Sequence, residues 1–327
     1  MPRSLFTSNA LPAGPGAWRA ADSGYGRSSE PDWRSVDWAA HLRFEDIGGR
    51  RVSVLDIDET GGAESVPVVF IHGLSGCWQN FLENIPHVAQ SRRVVALDLP
   101  GFGDSELPSK RITISYYAGV VQEVCERLEL ERVAVVGNSM GGFIAAELTI
   151  QQPVRVERLV LISAAGISSS NVYRMPTLTV GRIGAAVMAN EVVDHRRIAT
   201  RPRARQLALA LVARHPRLLA PDLAYEGLLR GANKPGFFPA LRACIEYDYR
   251  ERLPEIEAPT LIVWGEDDSV LSVKDADEYE RLIPKTKKLL MRDTGHVPQI
   301  ERPEAFNAEL LEFLDAKAGS ELEREAA

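Results

Sequence analysis

Cysteine is scarce in this sequence of 327 residues, which contains only Cys77, Cys125 and Cys244. These thiols are odd in number and far apart, so they offer neither the paired spacing of a zinc site nor the density of a disulfide framework. We therefore expect reduced, partly buried cysteines. The other residues also form no pattern typical of a metal site or a cofactor site, and we expect the protein to use neither.

Net positive charge and long apolar runs are missing as well. The formal net charge is −7 at pH 7, whereas nonspecific nucleic-acid binding needs a basic footprint. No apolar stretch approaches the roughly 18 to 20 residues that span a bilayer, and the first residues lack the continuous apolar core of a secretory signal. We expect a cytoplasmic protein with no transmembrane segment and no nucleic-acid partner, while a homo-oligomer stays open.

Residues 1–38 are rich in Pro, Gly, Ser and Ala and show no hydrophobic periodicity. This composition predicts a mostly disordered N-terminal leader. Trp18, Trp33 and Trp38 interrupt it, and we expect their indoles to dock against the folded body. The alternative is an anchor at a membrane interface, which would need an amphipathic helix that this segment lacks.

From residue 39 to 166, short apolar runs alternate with segments of helical spacing. The runs "HLRFEDI" and "RRVSVLDI" flank Gly48-Gly49 and predict two strands joined by a tight turn. The later runs "VPVVFIHG", "RRVVALDLPG", "RVAVVGNS" and "VERLVLISAAG" are separated by helical patterns. This alternation predicts an α/β fold with a mostly parallel central sheet and helices on both faces.

This pattern stops after Gly166 and returns near residue 251 with "APTLIVWGEDD" and "TKKLLMRDTGH". Because both parts belong to one architecture, we interpret residues 167–250 as a helical lid. It is inserted into a single core formed by 39–166 and 251–327.

The predicted lid is basic. Between Arg174 and Arg250 there are twelve Arg and one Lys against six acidic residues, a net charge of +7. Facing inward, these arginines would favour an acidic substrate. Facing outward, they would form a solvated surface, which is the more common arrangement.

The segment "VVGNSMGGF", residues 135–143, places a serine between glycines where an apolar strand gives way to a helical pattern. A serine hydroxyl attacks substrates only when it is exposed, has a neighbouring base and faces donors for the oxyanion. Gly137 and Gly141 permit the sharp turn that would expose Ser139. The following helix directs its first amides to the same place, which makes the amide of Met140 a candidate oxyanion donor. This context predicts a serine nucleophile.

A base for Ser139 is expected later in the chain. His296 follows the last predicted strand, and strand ends are where a parallel sheet presents catalytic groups. An imidazole in this role needs a carboxylate behind it. The strand "TLIVW" leads into Glu266, Asp267 and Asp268, and spacing alone does not separate the two aspartates.

The "HG" after "VVFI", the "DLPGFGDS" turn, the serine segment, "GEDD" and "TGH" together resemble the α/β-hydrolase superfamily over roughly residues 41–317. The order of Ser139, Asp268 and His296 matches the serine, acid and histidine order of that fold. The resemblance selects Asp268 as the acid, because the family acid is usually fourth from the glycine in a GxxD segment. It also implies that the amide of Leu74, after "HG", is the second oxyanion donor.

The resemblance also separates activities. His72 would fix the oxyanion loop, and Asp98 and Ser105 would cap or shape the glycine-rich turn. Ser139 disfavours the epoxide hydrolases and haloalkane dehalogenases of this fold, which attack with an aspartate, whereas perhydrolases share the serine triad. The implied activity is hydrolysis of a small-molecule substrate, most often a carboxylic ester through an acyl-enzyme.

A second implied chemistry is carbon–carbon cleavage of ring-fission diketo acids. The meta-cleavage-product hydrolases commonly carry GNSMGG at the nucleophile, as here, and an asparagine after the oxyanion loop, which Asn80 resembles. Their lid arginine holds the substrate carboxylate, and Arg230 is the candidate for it. Asn138 is a further candidate for substrate binding, although both asparagines could instead be bonded within tight loops. Val297, where these relatives often have tryptophan, argues against this chemistry.

Apolar lid residues are expected to line a pocket that selects the acyl or alkyl part of a substrate; they are Met175, Leu178, Phe237 and Phe238. An interpretation from another class is a hydrolase fold retained as a non-catalytic ligand-binding protein, as in some hormone receptors that resemble this family. The intact serine, acid and histidine favour an enzyme.

Overall fold

Eight strands form a single sheet within the residues that the computed structural model describes, which are 24–59, 65–168 and 194–316. Their order across the sheet is β1-β2-β4-β3-β5-β6-β7-β8. The strands are β1 (Leu42–Ile47), β2 (Arg50–Ile57), β3 (Val68–Ile71), β4 (Val94–Leu97), β5 (Val133–Asn138), β6 (Val156–Ile162), β7 (Thr260–Gly265) and β8 (Thr286–Met291).

Strands β1 and β2 form the predicted hairpin, whose turn at Gly48 and Gly49 has φ angles of 59° and 77°. Strand β2 also pairs antiparallel with β4, and every later pairing is parallel. The parallel strands therefore end at one edge of the sheet, where side chains from separate segments can meet. The prediction of a mostly parallel sheet is confirmed.

Helices cover both faces of this sheet. They are α1 (Ile85–Ala89), α2 (Ile114–Arg127), α3 (Met140–Gln151), α4 (His195–Thr200), α5 (Pro202–Leu209), α6 (Pro221–Ala224), α7 (Phe237–Glu246), α8 (Lys274–Leu282), α9 (Pro298–Glu301) and α10 (Pro303–Asp315). Side chains of β3 alternate between the two cores: Val69 lies in the core that contains Phe143 of α3, and Phe70 lies in the core that contains Phe306 of α10.

The segment "WQNFLENIPHVA" has helical spacing, but the structure divides it into a 3₁₀ helix at Trp78–Phe81 and α1. Pro86 has no N–H to donate, so a helix can begin around it but cannot continue through it from the preceding turn. The side chain of Asn84 donates instead to the backbone oxygen of Gln299, 3.0 Å away. This break ties the segment to the far end of the chain.

The expectation of a disordered leader over residues 1–38 is wrong for residues 24–38, which pack on the body. Tyr25 and Trp33 are buried, and Trp33 Nε1 donates to Glu83 Oε1 at 2.9 Å. The ring of Trp38 lies 5.1 Å from that of Trp78. The docking of the Trp33 and Trp38 indoles agrees with our expectation for them, whereas the composition of the segment predicted disorder because only a few large aromatic side chains supply its buried area. Trp18 lies outside the described residues.

The segment between β6 and β7 leaves and rejoins the sheet at one point. Gly166, at φ 122°, lies so close to Tyr249 that an added Cβ would sit 2.5 Å from its ring. The hydroxyl of Tyr249 shares a 2.7 Å hydrogen bond with that of Tyr279, which also donates to Ala165 O. Helices α4–α7 and a π-helix at Tyr225–Leu229 lie between these ends.

Candidate active site

Ser139 stands at a strained turn between β5 and α3. Its φ and ψ are 56° and −117°, a conformation that L-residues with a side chain rarely adopt. A Cβ added to Gly137 would lie 2.2 Å from the backbone oxygen of Gly141, and one added to Gly141 would lie 2.0 Å from that of Ile71. Glycine is therefore required on both sides of the serine.

Backbone hydrogen bonds hold this turn in place. The N–H of Ser139 donates to Ile162 O at 2.9 Å, and the N–H of Ala165 donates back to Ser139 O at 3.0 Å. Met140 is the first residue of α3. Its amide thus belongs to the helix N-terminus, where the macrodipole favours negative charge.

His296 and Asp268 meet at the edge of the sheet where β7 and β8 end. His296 Nδ1 lies 2.8 Å from Asp268 Oδ2, and both residues are buried. The other carboxylate oxygen accepts the N–H groups of Val270 and Leu271 at 2.8 and 2.9 Å. Asp268 is thus fixed as an acceptor, which places a proton on Nδ1 and leaves Nε2 of His296 able to accept one.

The neighbouring carboxylates have other surroundings. Asp267 Oδ2 lies 3.6 Å from Arg214 Nε, and Glu266 is exposed. The structure therefore pairs His296 with Asp268, the partner that the family resemblance selected.

Two contacts bring the serine turn, the histidine loop and the loop after β3 together. The side-chain amide of Asn138 donates to the backbone oxygens of Ile162 and His296, at 3.1 and 3.3 Å. A Cβ added to Gly73 would lie 3.1 Å from Ser139 Cβ. Leu74 therefore follows directly after the residue that touches the serine.

His72 shapes that loop as the resemblance implied. Its Nδ1 lies 2.7 Å from Gly73 O, and its Nε2 accepts the N–H of Leu99 at 2.9 Å. Full burial lowers the pKa of His72 to about 4, so the ring is neutral near pH 7 and the proton on Nδ1 bonds the loop. Its contacts are with backbone groups of the fold.

Asp98 and Ser105 organise the glycine-rich turn. The carboxylate of Asp98 accepts the N–H groups of Trp78 and Asp104, both at 2.9 Å. Ser105 Oγ donates to Asp98 O at 2.6 Å and accepts the N–H of Ser53. Burial raises the pKa of Asp98 to about 6. These bonds connect the turn to β2 and to the 3₁₀ helix at Trp78–Phe81.

The candidate substrate-binding asparagines are engaged with the protein itself. Asn80 Nδ2 donates to Gly227 O at 2.6 Å, and Asn138 Nδ2 makes the two bonds given above. Arg230 Nη1 pairs with Glu226 Oε2 at 2.7 Å, and the Arg230 side chain is 41% exposed. The structure thus supports bonded loop positions for both asparagines and gives the guanidinium a carboxylate partner.

The predicted pocket phenylalanines lie at the start of α7, where their rings stack edge to face 5.1 Å apart. Phe238 is 58% exposed. It lines a surface groove whose walls include none of the triad; the lining residues are Leu107, Pro108, Lys110, Arg111, Ile112, Phe238, Pro239 and Arg242. Met175 and Leu178 lie outside the described residues.

One buried carboxylate near His296 was not predicted. Glu301 is fully buried, and its Oε1 accepts the N–H of Gly295 at 2.9 Å. In sequence, a glutamate in "VPQIERPE" has the ordinary appearance of a solvated helix residue. No local signal distinguishes it, because the chain segments that surround it are far away in sequence.

Across the described ranges, no group of three or more His, Cys, Asp and Glu side chains is arranged to hold a metal ion. The same ranges contain no helix long and apolar enough to span a bilayer.

Comparison with known proteins fits this architecture. Residues 66–303 match the family described as alpha/beta hydrolase fold, and the chain belongs to that family. The 2-hydroxy-6-oxononadienedioate/2-hydroxy-6-oxononatrienedioate hydrolase of Cupriavidus pinatubonensis is 32% identical over 269 residues, which cover 79% of this chain and 89% of that relative. The match confirms the predicted fold and identifies the protein as an α/β hydrolase.

Other relatives carry different descriptions. The dihydrolipoyllysine-residue acetyltransferase component of the acetoin cleaving system of Pseudomonas putida is 30% identical over 280 residues, covering 82% of this chain and 68% of the relative. A solved bacterial membrane phospholipase A superposes with a TM-score of 0.66 at 28% identity, covering 86% of this chain and 89% of the other. The relatives thus share the fold but differ in the activity that their names state.

Proposed function

We propose that this protein is a serine hydrolase that cleaves small-molecule carboxylic esters through Ser139, His296 and Asp268. The observation that carries the proposal is the buried 2.8 Å contact between His296 Nδ1 and Asp268 Oδ2, at the same sheet edge as the strained serine turn. A serine, an imidazole and an oriented carboxylate are the components that acyl transfer needs.

Acylation begins when Ser139 Oγ attacks the ester carbonyl carbon and His296 Nε2 takes the hydroxyl proton. Asp268 stabilises the imidazolium that results. The amides of Met140 and Leu74 receive the negative oxygen of the tetrahedral intermediate. The intermediate collapses as its C–O bond breaks and His296 returns the proton to the leaving alcohol, which leaves an acyl group on the serine.

Deacylation repeats these steps with water. His296 takes a proton from a water molecule while the oxygen of that water attacks the acyl carbon. A second tetrahedral intermediate then expels Ser139, which regains its proton from the imidazolium. The products are a carboxylic acid and an alcohol, and the three side chains return to their starting states.

We also propose that the insertion acts as a lid. Three of its contacts support this role: Val212 O accepts the N–H of His296 at 2.9 Å, Gly227 O accepts the Asn80 amide, and Gly231 lies against Ser75. The insertion therefore touches both the histidine loop and the loop that follows β3. A cover in this place would exclude water and select the acyl or alkyl group.

Carbon–carbon cleavage of a diketo acid is the alternative. The 32% identity to the Cupriavidus pinatubonensis hydrolase and the GNSMGG segment favour it. Its requirement for a cation that grips the substrate carboxylate argues the other way, because Arg230 is paired with Glu226 and Val297 stands where tryptophan is frequent in that subfamily. The ester chemistry needs only the groups that the site already presents.

Turnover assays on a substrate panel test the proposal. The panel contains short-chain and long-chain acyl esters, lactones and a vinylogous diketo acid. Ser139→Ala is the matched control. Fluorophosphonate labelling measures the fraction of protein with an active serine. We expect labelling of the wild type, no labelling of the variant and the highest kcat/KM on an ester. Turnover of the diketo acid alone would establish the alternative, and labelling without any turnover would favour a ligand-binding protein.

A further inference from the structure

One buried carboxylate holds the histidine loop on both sides of His296. Glu301 Oε1 accepts the N–H of Gly295 at 2.9 Å and that of Val297 at 3.4 Å. Each end of the three-residue loop is therefore bonded to the same oxygen atom. These bonds fix the backbone from which the imidazole projects.

The second oxygen of Glu301 connects that loop to two distant segments. Glu301 Oε2 accepts the hydroxyl of Tyr25 at 2.5 Å and the N–H of Arg214 at 2.7 Å. The hydroxyl of Tyr25 in turn accepts the N–H of His215 at 2.8 Å, and Gly26 N–H donates to Glu301 O at 2.9 Å. One side chain thus gathers the N-terminal segment, the insertion and the histidine loop.

Such an arrangement is poorly explained by stability alone. Burying a carboxylate costs several kcal/mol, and a well-packed apolar side chain in its place would often be as stable or more so. Here the cost is offset by four N–H and O–H donors from the described residues, all directed at one side chain. Burial also raises the pKa of Tyr25 well above its usual range, so the phenol stays protonated and donates. A charged acceptor fixes the directions of these groups more strictly than apolar packing can.

We infer that Glu301 is a positioning residue for His296, and that the hydroxyl of Tyr25 holds Glu301 in the orientation that this role needs. The N-terminal segment therefore contributes to the active site. The inference rests on the proposed function, since it takes His296 as the base. Glu301 acts through the backbone of residues 295–297 and has no contact with the substrate. With its hydrogen bonds lost, the imidazole would reorient relative to Ser139, and a misplacement of about 1 Å can lower a rate about 10²-fold.

The experiment compares two hydrogen-bond deletions of the same kind. Tyr25→Phe removes the donor to Glu301. Tyr247→Phe removes the matched donor to Glu147 Oε2, a 2.8 Å tyrosine–carboxylate bond on α3. Glu301→Gln removes the charge itself. For each purified full-length protein, kcat, KM, melting temperature and the low-field proton signal of the His296–Asp268 hydrogen bond are measured, the signal being assigned by its loss in His296→Ala.

We expect Tyr25→Phe to lower kcat about 3-fold to 10-fold with little change in KM, and Glu301→Gln to lower it about 10²-fold. The low-field signal should shift or broaden in both. Tyr247→Phe should also lose thermal stability while its kcat and proton signal stay those of the wild type. If Glu301→Gln does not fold, Tyr25→Phe alone decides.

Equal loss of kcat in Tyr25→Phe and Tyr247→Phe, or an unchanged proton signal in Tyr25→Phe, would overturn the inference. The proton signal needs no turnover, so it reports on the loop even if the protein hydrolyses no ester. Failure of the proposed function would appear differently, as a wild-type protein that turns over no ester in the panel, whether or not it labels with fluorophosphonate.

Discussion

Asn80 and Gly227 are joined by a 2.6 Å hydrogen bond from the side-chain amide of the first to the backbone oxygen of the second. Asn80 lies in the 3₁₀ helix after the loop that contains Leu74, and Gly227 lies in the π-helix of the insertion. A further contact adjoins it, because a Cβ added to Gly231 would lie 2.3 Å from Ser75 O. Residues 225–231 of the insertion and the loop after β3 therefore pack as one unit.

Removing this hydrogen bond should weaken that unit. Asn80→Ala leaves the Gly227 carbonyl without its donor, and we expect the free energy of unfolding to fall by about 1 to 3 kcal/mol. Urea denaturation measures the change. Asn80→Asp, which keeps the size but replaces the donor with a carboxylate oxygen, should be at least as destabilising. A wild-type unfolding curve for both variants would contradict a structural role for the bond.

Removing the nucleophile and removing the base should each lower kcat to a similar extent. Ser139→Ala and His296→Ala are each expected to lower kcat by about 10⁴-fold or more while the fold persists, because members of a triad act as a unit. Steady-state kinetics with active-site titration measures the loss, and circular dichroism confirms folding. Substantial hydrolysis by purified Ser139→Ala would rule out the assignment.

The choice between adjacent aspartates provides an internal control. Asp268→Asn cannot stabilise the imidazolium, so we expect kcat to fall about 10³-fold to 10⁴-fold, whereas Asp267→Asn should change it little. The two variants differ by one position in the same turn, so a general disturbance of the turn would affect both. The opposite ranking would identify Asp267 as the acid despite the 2.8 Å contact of His296 with Asp268.

Local sequence patterns predicted the serine turn and the positions of Asp268 and His296 at the ends of strands. The serine turn is recognisable because a strand, a helix and two close backbone approaches impose glycine at positions 137 and 141. The apolar strand before Asp268 and the strand before His296 likewise predicted which sheet edge both occupy. Side-chain periodicity and turn preferences depend on residues that are close in sequence. The serine turn and the strands before Asp268 and His296 are determined by such local patterns.

The support around the histidine depends on distant contacts and was not predicted. Tyr25 and Glu301 are separated by 276 positions, and neither residue has neighbours that indicate burial. Docking of the tryptophans in segment 24–38 was expected, but the order of the segment as a whole was not, since its Pro, Gly and Ser content is typical of disorder while two buried aromatic rings attach it. Such pairings follow from the assembled fold, and a single sequence does not record them.

The buried side chains of His72 and Asp98 should give opposing pH dependences of the free energy of unfolding. Because burial lowers the pKa of His72 to about 4, the unfolded chain binds more protons between about pH 6.5 and 4, and stability falls as the pH falls. Because burial raises the pKa of Asp98 to about 6, the folded chain binds the extra proton between about pH 6 and 4, and stability rises as the pH falls. Each contribution is worth about 3 kcal/mol, so the two largely offset each other.

Asp98→Asn exposes the contribution of His72, since the amide keeps the size but does not titrate. On going from pH 6.5 to pH 4, we expect the variant to lose about 3 kcal/mol more unfolding free energy than the wild type. Urea denaturation at the two pH values measures this difference directly, which removes any constant cost of the substitution. Parallel pH dependences for the two proteins would show that Asp98 keeps an ordinary pKa in the fold.

Arg230 decides between the two chemistries. Its guanidinium pairs with Glu226 at 2.7 Å on a partly exposed surface of the π-helix segment, and exposed pairs four residues apart contribute only about 0.3 to 0.5 kcal/mol. If the protein is an esterase, Arg230→Gln should change KM for a neutral ester less than about 2-fold and leave kcat unaltered. If the arginine instead leaves Glu226 to grip a substrate carboxylate, the same variant should raise KM for an acidic diketo substrate about 10-fold to 100-fold, since a charged hydrogen bond is worth about 1.5 to 3 kcal/mol. Glu226→Gln is the matched control, because it removes the nearer carboxylate partner of the guanidinium, leaves Asp104 Oδ2 at 4.0 Å, and should then lower that KM. Equal KM changes on both substrates, or no turnover of the diketo acid, would leave ester hydrolysis as the better account.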